Sequence, residues 1–521
     1  MNSKENFIQE ISSGYSFKGD SLILGTAIYN NEPQQNLHIK IPLSTINRHG
    51  LIAGATGTGK TKTVQVFAEA LSEKSIPVLL MDIKGDLSGI AAEGASNPKI
   101  EERHAKIGIP YQSKKFPVEF LTLSDEKGVR LRATVSEFGP ILISKILELN
   151  DTQAGLMAVL FKYCDDNNLA LLDLKDLKKV LQFAAAEGKN SIEKDYGSVS
   201  TSSLGTILRK VVELEQQGAD KFFGEKSFEV NDLLRIDENG NGIISVLRLI
   251  DLQDRPKLFS TFMLSLLAEI YSSFPELGDK ADPKLVIVID EAHLIFSEAS
   301  KALLNQIETI IKLIRSKGVG IYFCTQNPTD VPASVLSQLG LKIQHALRAF
   351  TAQDRKMIKL TAENYPLSNY YKTDELLTSL GIGEAAISAL NEKGVPTPLA
   401  ATLLCAPKSR MDILTSDELN SKFNSSRLAS KYNESVDRES AYEILTKKLD
   451  SAREFNLPVP DSSTGSYRTP QTTTARTSKR TEKSAVDKVI NSPLSKQIGR
   501  TVVREIARGI LGVLGLGGRR R

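Results

Sequence analysis

Residues 46–63 read INRHGLIAGATGTGKTKT, and the fold is decided here. Within this stretch, Gly54-Ala55-Thr56-Gly57-Thr58-Gly59-Lys60-Thr61 matches in full the phosphate-loop pattern G-x-x-x-x-G-K-[ST]. Its flanks suit the pattern. Ile46 to Leu51 lead into a short apolar run ending at Gly54, and Thr63 to Leu71 read as a helix. The glycines let the backbone curl so that successive N–H groups face phosphate oxygens, and the helix N-terminus adds partial positive charge. The expected nucleotide-binding run is therefore Gly54 through Lys62, with Lys60 reaching the β- and γ-phosphates and the Thr61 hydroxyl ligating Mg²⁺. A Gly-rich turn without a ligand is the bland alternative.

A second motif complements the first. Lys284 to Ile289 form an apolar, β-branched run, and Asp290-Glu291-Ala292-His293 follow directly. Adjacent carboxylates at the end of a buried strand are costly unless a cation or solvent meets them. Asp290 is expected to hold Mg²⁺ through water, and Glu291 to polarise the attacking water as general base. His293 reads either as a residue that senses phosphate or meets a neighbouring subunit, or, the preferred reading, as one that caps or fills space.

Two further strands fit the same sheet. Pro77 to Ile83 end in Asp82-Ile83-Lys84-Gly85-Asp86, and Val319 to Thr325 end at Gln326-Asn327-Pro328. Gln326 at its strand tip is placed to orient water and report loss of the γ-phosphate, or is a loop amide bonded to backbone. Asp82 reads either as a nucleotide-site residue or as a turn residue. Strands alternating with helices predict a mostly parallel sheet with ligands at the carboxyl strand ends, where Gly54, Asp82, Asp290 and Gln326 all fall.

The chain has 521 residues, enough for about two or three domains. Its three cysteines, Cys164, Cys324 and Cys405, are too far apart for a disulfide framework or a metal spacing, so a reducing, cytoplasmic setting is expected. MNSKENFIQEI carries no signal-peptide core, and no apolar run reaches bilayer length.

Charge is uneven. Residues 461–521 hold 13 Lys/Arg against 4 Asp/Glu, whereas residues 1–460 hold 53 against 58. A basic tail suits nucleic acid or is simply a solvated tail. The expected organisation is a small β element at 1–45, a first ATPase-core segment at 46–90, a mostly helical insertion at 91–280 and a second core segment at 281–410. A helical or disordered linker at 411–490 and a basic amphipathic helix at 491–521 complete it. The insertion is too long for one crossover. Its helical patterns include Ile141 to Leu149, Leu156 to Tyr163, Leu204 to Leu214 and Leu258 to Tyr271, with strand-like pieces at Val118 to Leu123 and Gly242 to Leu249. Asp237-Glu-Asn-Gly-Asn-Gly imitates a calcium loop, but its twelfth position is Arg248, so a Gly/Asn hairpin turn is expected.

Arg315 ends a helix just before the fourth strand, in LIRSKGVG. An arginine so placed can reach a neighbouring subunit's γ-phosphate, or is a surface or C-terminal capping residue. Arg48 precedes the phosphate-loop strand and raises the same two options. Arg348 and Arg355 are weaker candidates.

Together, NRHGLIAGATGTGKT, the Asp82 strand, VIVIDEAHLIF, LIRSKGVGIYFCTQNPTDVP and QLGLKIQHALRAFTAQD resemble the HerA-like ATPases of the HerA–FtsK branch. FGPILISKILELNDTQ, LEQQGADKFFGE and GIGEAAISAL add a resemblance to a bacterial subfamily with a HerA-type C-terminal domain. The likeness covers about residues 15–410 and the final helix. It implies an α/β fold with a RecA-like P-loop core, a hexameric ring, Mg²⁺-dependent ATP hydrolysis and movement on DNA. It also implies roles for Lys60 (phosphate), Asp290 (metal), Glu291 (base), Gln326 (sensor), Arg315 (arginine in trans) and Arg48 (arginine in cis). The HerA helicases carry a substantial N-terminal β-barrel that docks a NurA-type nuclease. Only about 45 residues precede the ATPase-core segment here, which leaves a nuclease partner and processive unwinding open.

The expected function is a ring-forming, ATP-dependent DNA translocase or helicase-like motor using ATP and Mg²⁺. The alternatives are a protein-remodelling AAA+-type ATPase and a nucleotide-switched scaffold. A helical lid after the core would mark the former, but AAISAL and PLAATLL read as strands. Glu291 argues against the latter.

Overall fold

The strands around the phosphate loop are apolar at successive positions because both their faces are covered. The computed structural model describes residues 3–252, 255–277, 282–298, 301–434, 436 and 438–455. The basic tail and its expected amphipathic helix lie outside the described residues. The strands are β1 (Ser21–Tyr29), β2 (Glu32–Pro42), β3 (Gly50–Ala53), β4 (Val78–Asp82), β5 (Val118–Thr122), β6 (Val129–Arg130), β7 (Ile244–Arg248), β8 (Leu285–Ile289), β9 (Val319–Thr325), β10 (Leu341–Gln344), β11 (Glu384–Ser388) and β12 (Ala400–Leu404). They form one sheet in the order β2-β1-β12-β11-β10-β3-β9-β8-β4-β7-β5-β6. From β10 to β6 all neighbours run parallel. The four pairs from β2 to β10 run antiparallel.

The helices that cover the sheet include α1 (Ser3–Gly14), α2 (Lys60–Ser72), α3 (Pro98–Ile107), α4 (Val135–Ile146), α5 (Asp151–Asp166), α6 (Leu174–Ala185), α7 (Lys189–Tyr196), α8 (Thr201–Gln216), α9 (Pro256–Ser273), α10 (His293–Glu298) and α11 (Lys301–Ile314). The pleat divides each strand between two cores. Leu79, Met81, Ile287, Ile289, Ile321 and Phe323 join a cluster with α4 to α9 and α11. Val78, Leu80, Val286, Val288, Tyr322 and Cys324 join a second cluster with Val64, Phe67 and Leu71 of α2. Phe67 packs on Tyr322 with ring centroids 4.7 Å apart, which fixes α2 against the sheet. Truncation of Phe67 to Ala should cost about 3–5 kcal/mol through the cavity it leaves.

The long segment between β4 and β8 is rooted in the sheet. Its strand-like pieces are β5 and β7, and together with β6 they extend the parallel sheet beyond β4. The helices between them build no separate core. Leu160, Val180 and Ile207 belong to the same cluster as Leu79 and Met81. The N-terminal element is likewise continuous with the rest, because β1 pairs with β12. Phe7 and Ile11 of α1 are buried within the second cluster. The calcium-like stretch is a turn: Asp237 Oδ1 accepts from Asn239 N–H (2.9 Å) and Asn241 N–H (2.7 Å). Arg248 ends β7 and pairs with Glu126 at 3.3 Å.

Candidate active site

The phosphate loop leaves β3 and curls over its neighbours' strand ends. Gly54 N–H donates to Thr325 O of β9 (3.3 Å), and Ala55 N–H to Ala346 O beyond β10 (2.9 Å). Gly54 has φ +151°, and a Cβ there would lie 2.5 Å from the Cβ of His345, so only glycine fits. The Thr58 hydroxyl and Lys60 Nζ both donate to Ala55 O, at 2.7 and 3.2 Å. Lys60 is only 7% exposed. Burial pulls its pKa down, and Lys84 nearby works the same way, while Glu291 and Asp290 push it up.

The strands carrying Gln326, Asp290 and Asp82 follow β3 in order across the sheet, as β9, β8 and β4. Asp290 and Glu291 are both buried, at 7% and 5% exposure. Asp290 Oδ2 has no hydrogen-bond partner. Burial raises the Asp290 pKa, and the neighbouring Glu291 charge adds to it. Glu291 adopts φ +46°, a left-handed conformation unusual for a side chain of its size. Its Oε1 forms an ion pair with Lys84 Nζ, and its Oε2 lies 3.2 Å from His293 Nδ1. Gln326 is exposed, one residue beyond Thr325.

Asp82 is used differently from a ligand-binding residue. Its Oδ1 accepts from Gly85 N–H (2.7 Å) and Asp86 N–H (3.2 Å), and its Oδ2 from Leu87 N–H (3.1 Å). Both oxygens are engaged by its own turn, so the structure supports Asp82 as a turn residue. Burial raises its pKa to about 6. What this turn delivers is Lys84, to Glu291, and Asp86, whose Oδ2 lies 3.3 Å from Thr61 Oγ1. Neither stands out in the sequence. The available signal is a Lys and an Asp flanking a Gly just beyond a buried strand.

The arginines are not brought to this site. Arg48 lies before the amino end of β3, and a Cβ on Gly394 would sit 2.7 Å from its Nη1. Its side chain is turned to the far end of the strand, so the expected phosphate contact in cis is not made. Arg315 is half-buried near His49, also at the amino ends. Val319 to Thr325 separate it from the site, roughly 20 Å at strand rise. Arg348 and Arg355 are not buried, and Arg348 Nη1 reaches Thr378 O at 3.5 Å.

Two supports under the loop are also silent in the sequence. His345 is fully buried, with Nε2 2.9 Å from Thr63 Oγ1. Burial and the Lys60 charge lower its pKa to about 4, so it is neutral. The second is a strap, residues 406–414, that follows β12 along α2. Glu69 accepts from Lys408 N–H (2.8 Å), Ser409 N–H (3.0 Å) and the Ser409 hydroxyl. Gln65 Nε2 donates to Ser409 Oγ (2.6 Å) and Arg410 O (2.9 Å), and Lys62 Nζ to Met411 O. The strap therefore climbs one helical stripe, 69 to 65 to 62, toward the phosphate loop. Burial lifts the Glu69 pKa to about 7, against the hydrogen bonds from Ser409 and Lys408.

The residues fit a Mg²⁺–nucleotide. The Thr61 hydroxyl, the unpartnered Asp290 Oδ2 and Asp86 offer the hard oxygen donors that Mg²⁺ takes. Among the described residues no group of three His, Cys, Asp or Glu is arranged to hold a metal alone. Phosphate and water would supply the remaining ligands. Gly57 has φ +78°, and a Cβ there would meet nothing within 4 Å, so the tip of the loop is open. No helix among the described residues is long and apolar enough to cross a membrane.

The family model described as "Helicase HerA-like C-terminal" matches residues 27–521. The DNA double-strand break repair helicase HerA of Sulfurisphaera tokodaii is 26% identical over 360 residues, 68% of this chain and 64% of that protein. HerA of Saccharolobus solfataricus is 25% identical over 382 residues, 73% of this chain and 68% of that protein. The chain thus spans just under two thirds of the length of the first of these relatives. Among solved structures, the plasmid coupling protein TrwB with a non-hydrolysable ATP analogue superposes with a TM-score of 0.51 at 12% identity, over 78% of this chain and 95% of that one. This likeness shows a shared RecA-like P-loop fold.

Proposed function

Because the chain belongs to the helicase HerA-like C-terminal family, we propose that it is an ATP-dependent motor that hydrolyses ATP with Mg²⁺ and translocates on DNA as a ring. One observation carries this conclusion. A phosphate loop with a buried lysine stands two strands from a buried Asp290–Glu291 pair, and the strand between them ends in exposed Gln326. Lys60 and the loop N–H groups hold the β- and γ-phosphates, Thr61 and Asp290 hold Mg²⁺, and Glu291 takes the proton of the attacking water. Bound Mg²⁺ would neutralise phosphate charge and fix the leaving group. Gln326 orients the water. Arg315 acts on a neighbouring subunit's nucleotide, since its own lies roughly 20 Å away along β9. The relatives named as DNA repair helicases support DNA as the substrate track. After β10 come two helices, Ala352–Ala362 and Thr373–Ser379, and the chain then returns to the sheet as the antiparallel strands β11 and β12, which weighs against a protein-remodelling ATPase of the AAA+ type with a purely helical lid.

The test is the ATPase rate without nucleic acid and with single-stranded DNA, duplex DNA or an unfolded protein. DNA should stimulate the wild type, unfolded protein should not, and Lys60→Ala should abolish hydrolysis under every condition. Stimulation by unfolded protein alone, or a near-normal rate in Lys60→Ala, overturns the proposal.

A further inference from the structure

The side chain paired with the proposed general base is a cation with no part in the chemistry so far. Lys84 Nζ pairs with Glu291 Oε1, inside a site that also holds Lys60, Asp86 and Asp290. The Glu291 carboxylate is 6% exposed, whereas the Lys84 side chain is 40% exposed. The two partners therefore differ in freedom. Glu291 is fixed by burial, by its backbone and by His293 on its other oxygen. Lys84 has a flexible stem rising from a turn that three hydrogen bonds to Asp82 hold rigid. The same turn engages Thr61 through Asp86, so both proposed reacting groups, the base and the metal-ligating hydroxyl, are occupied from one direction.

A nucleoside triphosphate changes this balance. Its γ-phosphate brings dense negative charge between the loop and Glu291, where Lys84 is the cation on a free stem. An ammonium in a site of low dielectric moves to the stronger anion. We propose that Lys84 is a triphosphate-displaced latch on Glu291: it pairs with the base in the nucleotide-free site and transfers to the γ-phosphate when ATP binds, leaving Glu291 free to meet water. Lys84 is thereby a positioning residue for Glu291 and a sensor that separates ATP from ADP. This inference rests on the nucleotide-site assignment under the proposed function.

The experiment is a double-mutant cycle read by binding alone, with ATPγS and ADP as probes on the full chain. Lys84→Met keeps the stem and removes the charge, and Glu291→Gln removes the carboxylate that competes for it. Lys84→Met should weaken ATPγS binding by ~10-fold and leave ADP binding within about two-fold. Glu291→Gln should tighten ATPγS binding, and adding Lys84→Met should remove that gain, so the two effects are not additive. Lys84→Arg should restore most of the preference for ATPγS. If Lys84→Met leaves the ATPγS-to-ADP ratio unchanged, or if the two substitutions act additively, the latch is refuted. ADP binding that depends on Lys60 keeps the nucleotide site intact in that event, whereas no binding of either probe defeats the nucleotide-site assignment itself.

Discussion

Arg315→Ala tests whether the site is completed from outside the chain. Within one chain Arg315 stands before Val319, and the site lies past Thr325, so about six residue steps of extended strand intervene, roughly 20 Å. An arginine side chain spans far less than that. Arg315 therefore cannot reach its own phosphates, and a direct contact between it and a phosphate would have to be made on a neighbouring subunit's nucleotide. Loss of an arginine finger lowers the rate by about 10³-fold or more, with ATP still bound. Lys60→Ala disables the phosphate loop of the same subunit instead. In a random equal mixture, an interface pairing an intact loop with an intact arginine arises at about a quarter of positions, whatever the size of a head-to-tail ring. Steady-state hydrolysis of the mixture should then recover to about 25% of wild type, against near zero for each variant alone. Mixing would be verified by two different affinity tags captured in sequence. Verified mixed assemblies without recovery would refute action in trans, and a normal rate in Arg315→Ala alone would remove the arginine from the chemistry.

Three other outcomes are expected. Glu291→Gln should bind ATP and retain it unhydrolysed, as measured by the nucleotide recovered after gel filtration; failure to bind ATP would make Glu291 structural. Glu69 should make stability fall as pH rises. Its folded pKa of about 7 stands above the ordinary 4.5, so its contribution is fully present below pH 4.5 and is lost by pH 7. Glu69→Gln should then gain on the wild type by up to about 3 kcal/mol across that window, and a parallel pH profile of thermal unfolding for both proteins would contradict it. Deletion of residues 461–521 should weaken DNA binding and make the slope of log K against log salt shallower by about 0.9 for each phosphate no longer neutralised, while DNA-independent hydrolysis persists. An unchanged slope removes DNA from the role of the tail.

The parts of the fold that could be read in sequence are those encoded by adjacent residues. The phosphate loop, the β8 run into Asp290-Glu291 and the β9 run into Gln326 each combine a buried strand with its own polar tip. Helical periodicity likewise located α5, α8 and α9. What escaped was pairing across the chain. Nothing near Glu69 announces that Ser409 will satisfy it, and nothing near Glu291 announces Lys84. Asp82 shows the limit from another side. A carboxylate at a strand tip has the same signature whether it faces a ligand or its own turn, and only the three N–H donors decide. Arg48 failed for a related reason, because proximity in sequence to the phosphate loop says nothing about which end of a strand a side chain serves.

The strap along α2 does not end there. Past Met411, Leu414 N–H donates to Ser88 Oγ at 3.0 Å. Farther on, Ser440 Oγ donates to Asp176 at 2.5 Å and Ala441 N–H to Ala170 O at 2.9 Å, seating the helix Ala441–Phe455 on α6. One stretch of chain is thus bolted at one end to the helix that cradles phosphate and at the other to the helical body on the opposite face of the sheet. Between these ends it is fastened to the sheet as well: Asn433 Oδ1 accepts from Arg130 N–H of the edge strand β6 at 2.9 Å, and Lys431 pairs with Asp232 at 2.7 Å. It is built like a riveted brace, so any displacement of α2 along it would be shared with the β6 edge before it reached that body.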